Sequence, residues 1–239
     1  MPRKQHEEHE SMKPDSRYWW WPFAEGSGSI IAGATVVLAA TVVLWIVYQH
    51  WLSTAVLVAS VGLWLAFLFF FRDPPRAIHS EPGLVLSPGD GKVVHIGTER
   101  EEHYLQAETL RISLFLSLVD VHVQRIPLDG RVEVVEHRPG KFLQAFKPEA
   151  SQVNEGISMV VETAYGRILV RQVAGILARR CVNYLEASER VQTGQRFGLI
   201  RFGSRIDLYL PPDAKVLVAV GDKVQGGITP LAWLEQGDR

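Results

Sequence analysis

Residues 110–118 read Leu110-Arg111-Ile112-Ser113-Leu114-Phe115-Leu116-Ser117-Leu118. Every even position is apolar, and Arg111, Ser113 and Ser117 stand between them. A period of two puts the even positions on one face of an extended chain, which describes a half-buried strand and not a helix. The same grain continues on both sides. Arg131–Glu136, Ile157–Thr163, Arg167–Val173, Arg205–Leu210 and Lys215–Val220 are short, rich in branched residues and bounded by Gly, Pro or Asp. These are strand marks, and together they predict a mainly β domain, an antiparallel β sandwich or barrel-like fold. Leu143–Glu149 has room for a helical turn. Over Leu177–Arg190 the period does not separate helix from strand.

Upstream the material changes. Residues 29–71 contain no Asp, Glu, Lys or Arg, so all 25 basic and all 26 acidic residues lie outside them. Ser29–Tyr48 and Leu52–Phe71 are each long enough, at ~1.5 Å per residue, to cross a hydrocarbon core of about 30 Å. Gln49-His50-Trp51 between them suits a tight turn. Trp19, Trp20 and Trp21 precede the first span, as interfacial indoles do. Arg3, Lys4, Lys13 and Arg17 lie before the hairpin, and Arg72 and Arg76 after it. Basic flanks and an uncharged turn predict that both ends face the cytoplasm, which puts the β domain on the cytoplasmic side of the cell membrane. A cleaved signal peptide fits poorly, because a second apolar stretch follows the first. Three regions result: a polar tail with a Trp-rich segment (1–28), a membrane helical hairpin (29–71), ended by Pro74-Pro75, and a β domain (72–239).

Composition also narrows the chemistry. A formal net charge of −1 gives no support for a nucleic-acid partner. A single cysteine, Cys181, excludes a disulfide framework and a cysteine-rich zinc site. The eight histidines show no metal-binding spacing, and neither a phosphate loop nor a dinucleotide fingerprint is present. Cys181 follows Arg179-Arg180, which favours a reactive thiol, but a lone cysteine in a strand-like run is more often buried and inert.

Three short segments could carry a reaction. Ser87-Pro88-Gly89-Asp90-Gly91-Lys92-Val93 reads as a turn feeding a strand; Asp90 is either ordinary turn chemistry or a carboxylate at a strand mouth. Asp120 and His122 are two apart, so on a strand they share a face, where a carboxylate can fix a tautomer and prepare a proton-transfer group. Alone, such a pair is equally an ordinary surface pair. Phe202-Gly203-Ser204-Arg205 lies between strand-like runs. Gly-Ser is a common turn dipeptide, and the nucleophile-elbow frame is absent.

In this order, with Phe70-Phe71-Arg72-Asp73-Pro74 ahead of them and Pro139-Gly140-Lys141-Phe142, Asn154-Glu155 and Gly221-Asp222-Lys223-Val224 among and after them, these segments resemble the shorter bacterial and archaeal branch of phosphatidylserine decarboxylase. The resemblance implies a pyruvoyl-dependent carboxy-lyase that makes its own cofactor, with no metal and no pyridoxal phosphate. Ser204 would attack the Gly203 carbonyl; elimination and hydrolysis would leave a covalent pyruvoyl group at 204. The products would be chains 1–203 and 204–239, associated as a heterodimer, with room for a higher homo-oligomer. The pyruvoyl carbonyl would form a Schiff base with phosphatidylserine in the membrane and accept the electrons released with CO2. His122 would protonate the product or steady the reacting carboxylate, Asp120 would orient His122, and Asp90 would assist the cleavage. Arg125 stands where the longer branch has a second histidine, so the base that activates Ser204 is left open between His122 and Asp90. Asn154-Glu155-Gly156 departs from the family's usual Asn-Glu-Arg, and no role is assigned to it. The segment 204–239 is too short for its own core, so its strands should pair within the larger chain's sheet.

Gly89-Asp90-Gly91 and Gly221-Asp222-Lys223 also resemble the paired turns of biotinyl and lipoyl domains. The alternative is therefore a membrane-anchored β binding module without catalysis, although no lysine sits in the hairpin context where such modules are modified.

Overall fold

The computed structural model describes residues 22–143, 153–175, 181–200 and 203–235. Two helices come first, α1 (Gly28–Tyr48) and α2 (Trp51–Phe70), within a residue or two of the two apolar spans. The turn is Gln49-His50, and Trp51 begins α2 instead of lying in the turn. Gln49 turns left-handed (φ 42°) and donates to the Trp45 carbonyl. His50 caps α2, its Nδ1 accepting from the Leu52 amide at 3.3 Å. Thr41 and Ser60 hydroxyls pair at 2.7 Å, Trp45 Nε1 donates to Thr54 Oγ1 and Trp64 Nε1 to Thr35 Oγ1, both at 3.0 Å. Polar groups within the hairpin thus satisfy one another across the helix pair, as a hydrocarbon surrounding requires. The apolar side chains face outward: Val36 is 68% and Val58 66% exposed. The hairpin is not a core element of the β domain, and its length and composition are compatible with membrane association.

The chain entering α1 is stitched to the chain leaving α2. Phe23 and Arg72 form an antiparallel bridge, the Ala24 amide donates to the Phe71 carbonyl at 2.7 Å, and the Asp73 amide to the Pro22 carbonyl at 2.8 Å. Pro74-Pro75 follows at once, as expected of a helix stop.

The rest is mainly β. Numbered in chain order, the largest sheet runs β13 (Lys223–Val224), β2 (Gly91–Glu101), β3 (Ala107–Leu116), β11 (Ser204–Leu210), β7 (Gly166–Ala174), β6 (Gly156–Thr163), β5 (Gly130–Arg138) and β9 (Arg190–Val191). Its strand pairs are antiparallel, and it curls into a half-barrel. Smaller sheets are β4 (Val123–Arg125), β10 (Arg196–Ile200), β8 (Cys181–Asn183) and β1 (Leu84–Leu86), β14 (Pro230–Trp233), β12 (Lys215–Val216). The even positions of residues 110–116 do face one core, with Ile206, Leu208 and Leu210 of β11, Ile168 and Val170 of β7 and Met159 and Val161 of β6. The opposite face carries buried charge: Arg205 with Asp207, and Arg171 with Glu101.

Three expectations need correction. The alternating strand ends at Leu116, because the Asp120 carboxylate folds back onto the Ser117 amide and hydroxyl (2.8 and 2.6 Å), which leaves Leu118 outside the sheet. Asp120 and His122 therefore lie in the connection to β4 and not on a strand. Of Lys215–Val220 only Lys215–Val216 is strand; the Asp222 carboxylate caps the Ala219 amide at 2.8 Å and turns the chain away. Of the Leu177–Arg190 stretch, Cys181–Asn183 is strand, and residues 177–180 lie outside the described residues, as do 144–149 of the candidate helical turn, the tryptophans at 19–21, and Phe202.

The pairing expected of the last 36 residues holds for Arg205–Leu210 but not for Lys215–Val220, since β12 pairs only with β14 of the same segment. Strand β11 lies in the middle of the large sheet, hydrogen-bonded to β3 on one side and β7 on the other. The two Gly-Asp turns also meet, with Lys223 opposite Lys92 and Val224 opposite Gly91.

Candidate active site

Ser204 starts the central strand β11, and Gly203 lies just before it. Gly203 has φ +60°, a left-handed backbone that a side chain strains and glycine takes freely. Ser204 opposes Leu116 of β3 and Ala174 of β7, on the core face of β11. Its side chain is fully buried, and its Oγ has no hydrogen-bond partner among the described residues. A buried hydroxyl left unpaired costs about 1–3 kcal/mol; among the described residues Ser113 Oγ of β3 shares this state.

His122 reaches the same end of the domain along two paths. The chain runs from Leu116, the partner of Ser204, through the Ser117–Asp120 turn to His122. From the other side, Val123 opposes Leu199 on β10, a strand that ends at Ile200, three residues before Gly203. His122 is fully buried, and the Phe70 ring lies 4.3 Å from it, centroid to centroid. Its Nδ1 is 2.9 Å from the Asp120 backbone carbonyl, and its Nε2 has no partner among the described residues. A carbonyl only accepts, so the proton sits on Nδ1 and Nε2 presents a bare lone pair. Burial lowers the His122 pKa to about 4, aided by the Arg72 charge and opposed by Asp120 through its carbonyl and its charge. The imidazole is therefore neutral at pH 7 and can accept a proton.

Asp120 orients His122 through its main chain, since its carboxylate is engaged by Ser117. Asp90 does not hydrogen-bond to His122 or Ser204. Its Oδ2 takes Arg76 Nη2 at 2.8 Å and its Oδ1 takes the Gly226 amide at 2.7 Å. Its turn nevertheless adjoins the site, because Gly89 packs against Ile206 and Leu116 so closely that a Cβ there would meet Ile206 Cδ1 at 2.6 Å. Arg125 is not a base: its guanidinium is buried against Asp73 Oδ1 at 2.8 Å and the Gly194 carbonyl at 3.1 Å. Asp73 also holds Arg196, so one carboxylate binds the end of the hairpin to β4 and β10. Cys181 is buried, and burial with the nearby Glu155 charge pushes its thiol pKa up, which fits the inert reading.

Other polar groups share this region without having been assigned a role from the sequence. Gln172, on the core face of β7 two residues from Ala174, donates to Gln124 Oε1 at 2.8 Å; Gln172 Oε1 and Gln124 Nε2 remain without partners. Asn154 Nδ2 donates to the Ala174 carbonyl at 2.7 Å. The readable signal was a glutamine at a core-facing strand position among apolar neighbours, where a polar side chain needs a reason. Four orphaned buried atoms thus collect around one end of the sheet: Ser204 Oγ, His122 Nε2, Gln124 Nε2 and Gln172 Oε1. The set pairs a hydroxyl with a neutral base and leaves amide groups free for a carbonyl or carboxylate.

The sequence model of the family described as Phosphatidylserine decarboxylase matches residues 63–232. A protein of Symbiobacterium thermophilum named phosphatidylserine decarboxylase proenzyme is 43% identical over 217 residues, covering 90% of this chain and 94% of that one. Proteins of the same name from Desulfotalea psychrophila and Burkholderia cenocepacia are 44% and 43% identical, covering 70% and 76% of this chain and 78% and 90% of their own.

Proposed function

The chain belongs to the phosphatidylserine decarboxylase family of carboxy-lyases, and from that premise we propose that it converts phosphatidylserine to phosphatidylethanolamine and CO2 after cutting itself between Gly203 and Ser204. The observation that carries this reading is the buried, unpartnered Ser204 Oγ directly after a left-handed glycine. The rival reading, a carrier-like module without catalysis, gives way to the family.

His122 Nε2 takes the Ser204 hydroxyl proton, and Oγ attacks the Gly203 carbonyl carbon. The peptide C–N bond breaks as the ester C–O bond forms, and the nitrogen of residue 204 leaves as an amine. Loss of the residue-204 α-proton then breaks the Cβ–O bond. Gly203 departs as a carboxylate, and a dehydroalanine remains. Water hydrolyses its imine tautomer, releasing ammonia and leaving a pyruvoyl group at the head of chain 204–239. Asp120 holds His122 in the accepting tautomer, and Asp90 holds the turn beneath β11. Asp120 thereby keeps the orienting role that the resemblance implied, and the role of Asp90 becomes one of positioning.

The ketone of that group supplies an electron sink when the substrate carboxylate leaves. Neutral His122 takes a proton from the incoming substrate ammonium and returns one to the α-carbon once CO2 has gone. The Gln124–Gln172 pair offers a free donor and a free acceptor to the substrate's serine head. The hairpin lies in the bilayer with both ends and the β domain on the cytoplasmic side, supported by the basic flanks at Arg72 and Arg76. Intact-mass measurement of the purified protein tests the reading: two chains split after Gly203, the smaller without a free N-terminal amine, are expected. A single uncut chain that is active on phosphatidylserine overturns it.

A further inference from the structure

The turn between β3 and His122 has apolar tips. Leu118 is 47% and Val119 65% exposed, whereas exposed turns are ordinarily built of Gly, Asn, Asp and Ser. Both stand beside the end of the hairpin. Arg72 Nη2 donates to the Val119 carbonyl at 2.5 Å and Nη1 to the Phe69 carbonyl at 2.7 Å, while its guanidinium carbon lies 3.9 Å above the Phe69 ring. Phe69 is itself 51% exposed. Phe69, Leu118 and Val119 therefore form one apolar patch around one cation, continuous with the outer surface of α2. No carboxylate pairs with Arg72 among the described residues.

The turn's own polar groups are satisfied from within. The Asp120 carboxylate takes the Ser117 amide and hydroxyl, the Asp120 amide donates to the Ser117 carbonyl at 3.0 Å, and Arg72 covers the Val119 carbonyl. A turn closed in this way can leave water without stranding these groups.

The geometry points to a second membrane contact: Leu118 and Val119 enter the phospholipid interface beside Phe69, with Arg72 at the depth of the phosphates. This rests on the hairpin lying in the bilayer and on the decarboxylase reading. The occupant is the lipid surface itself, because the patch extends the outward side of α2 and its cation, though it feels the Asp90 and Asp120 charges, is ion-paired with no carboxylate among the described residues. The consequence is positional. The turn that dips is the one whose Asp120 carbonyl holds His122, so the depth of Leu118 and Val119 sets the height of the imidazole relative to the headgroups.

The test uses the full chain in vesicles of phosphatidylcholine and phosphatidylserine. Cys181 is the lone cysteine and is buried, so Val119→Cys accepts an environment-sensitive label in its place. Lipids with quenchers on the acyl chains should quench this label and a label at Val58→Cys in α2. They should not quench one at Glu102→Cys, at the other end of β3, about 30 Å away at ~3.3 Å per residue. Leu118→Asp with Val119→Asp should lower the ratio of the rate on vesicles to the rate on dissolved short-chain phosphatidylserine by about tenfold. A silent Val119 label beside a quenched Val58 label overturns the contact alone. Silence at both overturns the membrane hairpin and the contact with it. A Val119 signal that depends on protein density instead of lipid quencher shows a copy-to-copy surface and also overturns it. An unchanged rate ratio in the aspartate variant does the same.

Discussion

The Phe70 ring, at the last residue of the second apolar helix, packs 4.3 Å from the His122 imidazole. The hairpin therefore contributes a wall to the candidate site and does more than tether it. Its end excludes water from a buried histidine with a bare nitrogen, the one such histidine among the described residues.

Phe70→Ala should admit water to His122 and move its pKa back toward that of an ordinary imidazole. The groups that face it otherwise are the Asp120 carbonyl and the Asp120 and Arg72 charges, and these stay in place. The acid limb of the pH–rate profile should rise by about one pH unit or more, since desolvation is the largest cause of the shift. Phe70→Tyr should restore most of the original profile. A profile unchanged in Phe70→Ala would mean that the ring does not set the protonation of His122.

Ser204→Ala should remain a single chain and be inactive. It should also be no less stable than the parent in chemical denaturation, because the deleted hydroxyl has no partner and its burial costs about 1–3 kcal/mol. A marked loss of stability would show that Ser204 is held by a hydrogen bond in the fold.

Asp120→Asn and His122→Gln should separate. The asparagine keeps the main-chain carbonyl that fixes the tautomer and keeps an oxygen for Ser117, so self-cleavage should slow only a few-fold. The glutamine removes the base and should cost about 10²–10⁴-fold. Timed gel analysis of the two chains measures both. Equal losses would return the orienting role to the Asp120 carboxylate.

Stability should fall with acid in a defined window. His122 has a pKa of about 4 in the folded chain and an ordinary imidazole value of 6.5 when unfolded. Between those values the unfolded chain binds more protons, so stability is full above pH 6.5 and declines as pH falls toward 4. The total is on the order of 3 kcal/mol. In His122→Gln this part of the curve, read by denaturant titration across pH, should flatten.

Asp73→Asn should destabilise the uncut chain by about 3–5 kcal/mol, because it leaves the buried Arg125 guanidinium without its counter-charge. A denaturation midpoint close to that of the parent would make the Asp73 junction dispensable.

Much of this was legible in the sequence because period is local. The alternation at 110–116 and the charge-free run at 29–71 gave the sheet and the hairpin, and the order of the short segments gave the family. What failed was the reach of period past a side chain that redirects the backbone, as Asp120 does at Leu118 and Asp222 does after Val216. The site was half legible. Gly203, Ser204 and His122 were named, but that Asp120 works through its carbonyl, and that Arg125 is bound by Asp73 from 52 residues away, depends on long-range packing that no local pattern encodes.

The central place of β11 bears on what happens after the cut. Before it, one polypeptide finds its fold by unimolecular search. If Gly203 and Ser204 part as proposed, the middle strand of the sheet would belong to a separate molecule of 36 residues, and refolding would become a second-order encounter that slows with dilution. The mature enzyme would then persist by slow unfolding instead of by reversible equilibrium. On that proposal each molecule would assemble once, as a precursor, and heat or denaturant that separates its chains should end its working life.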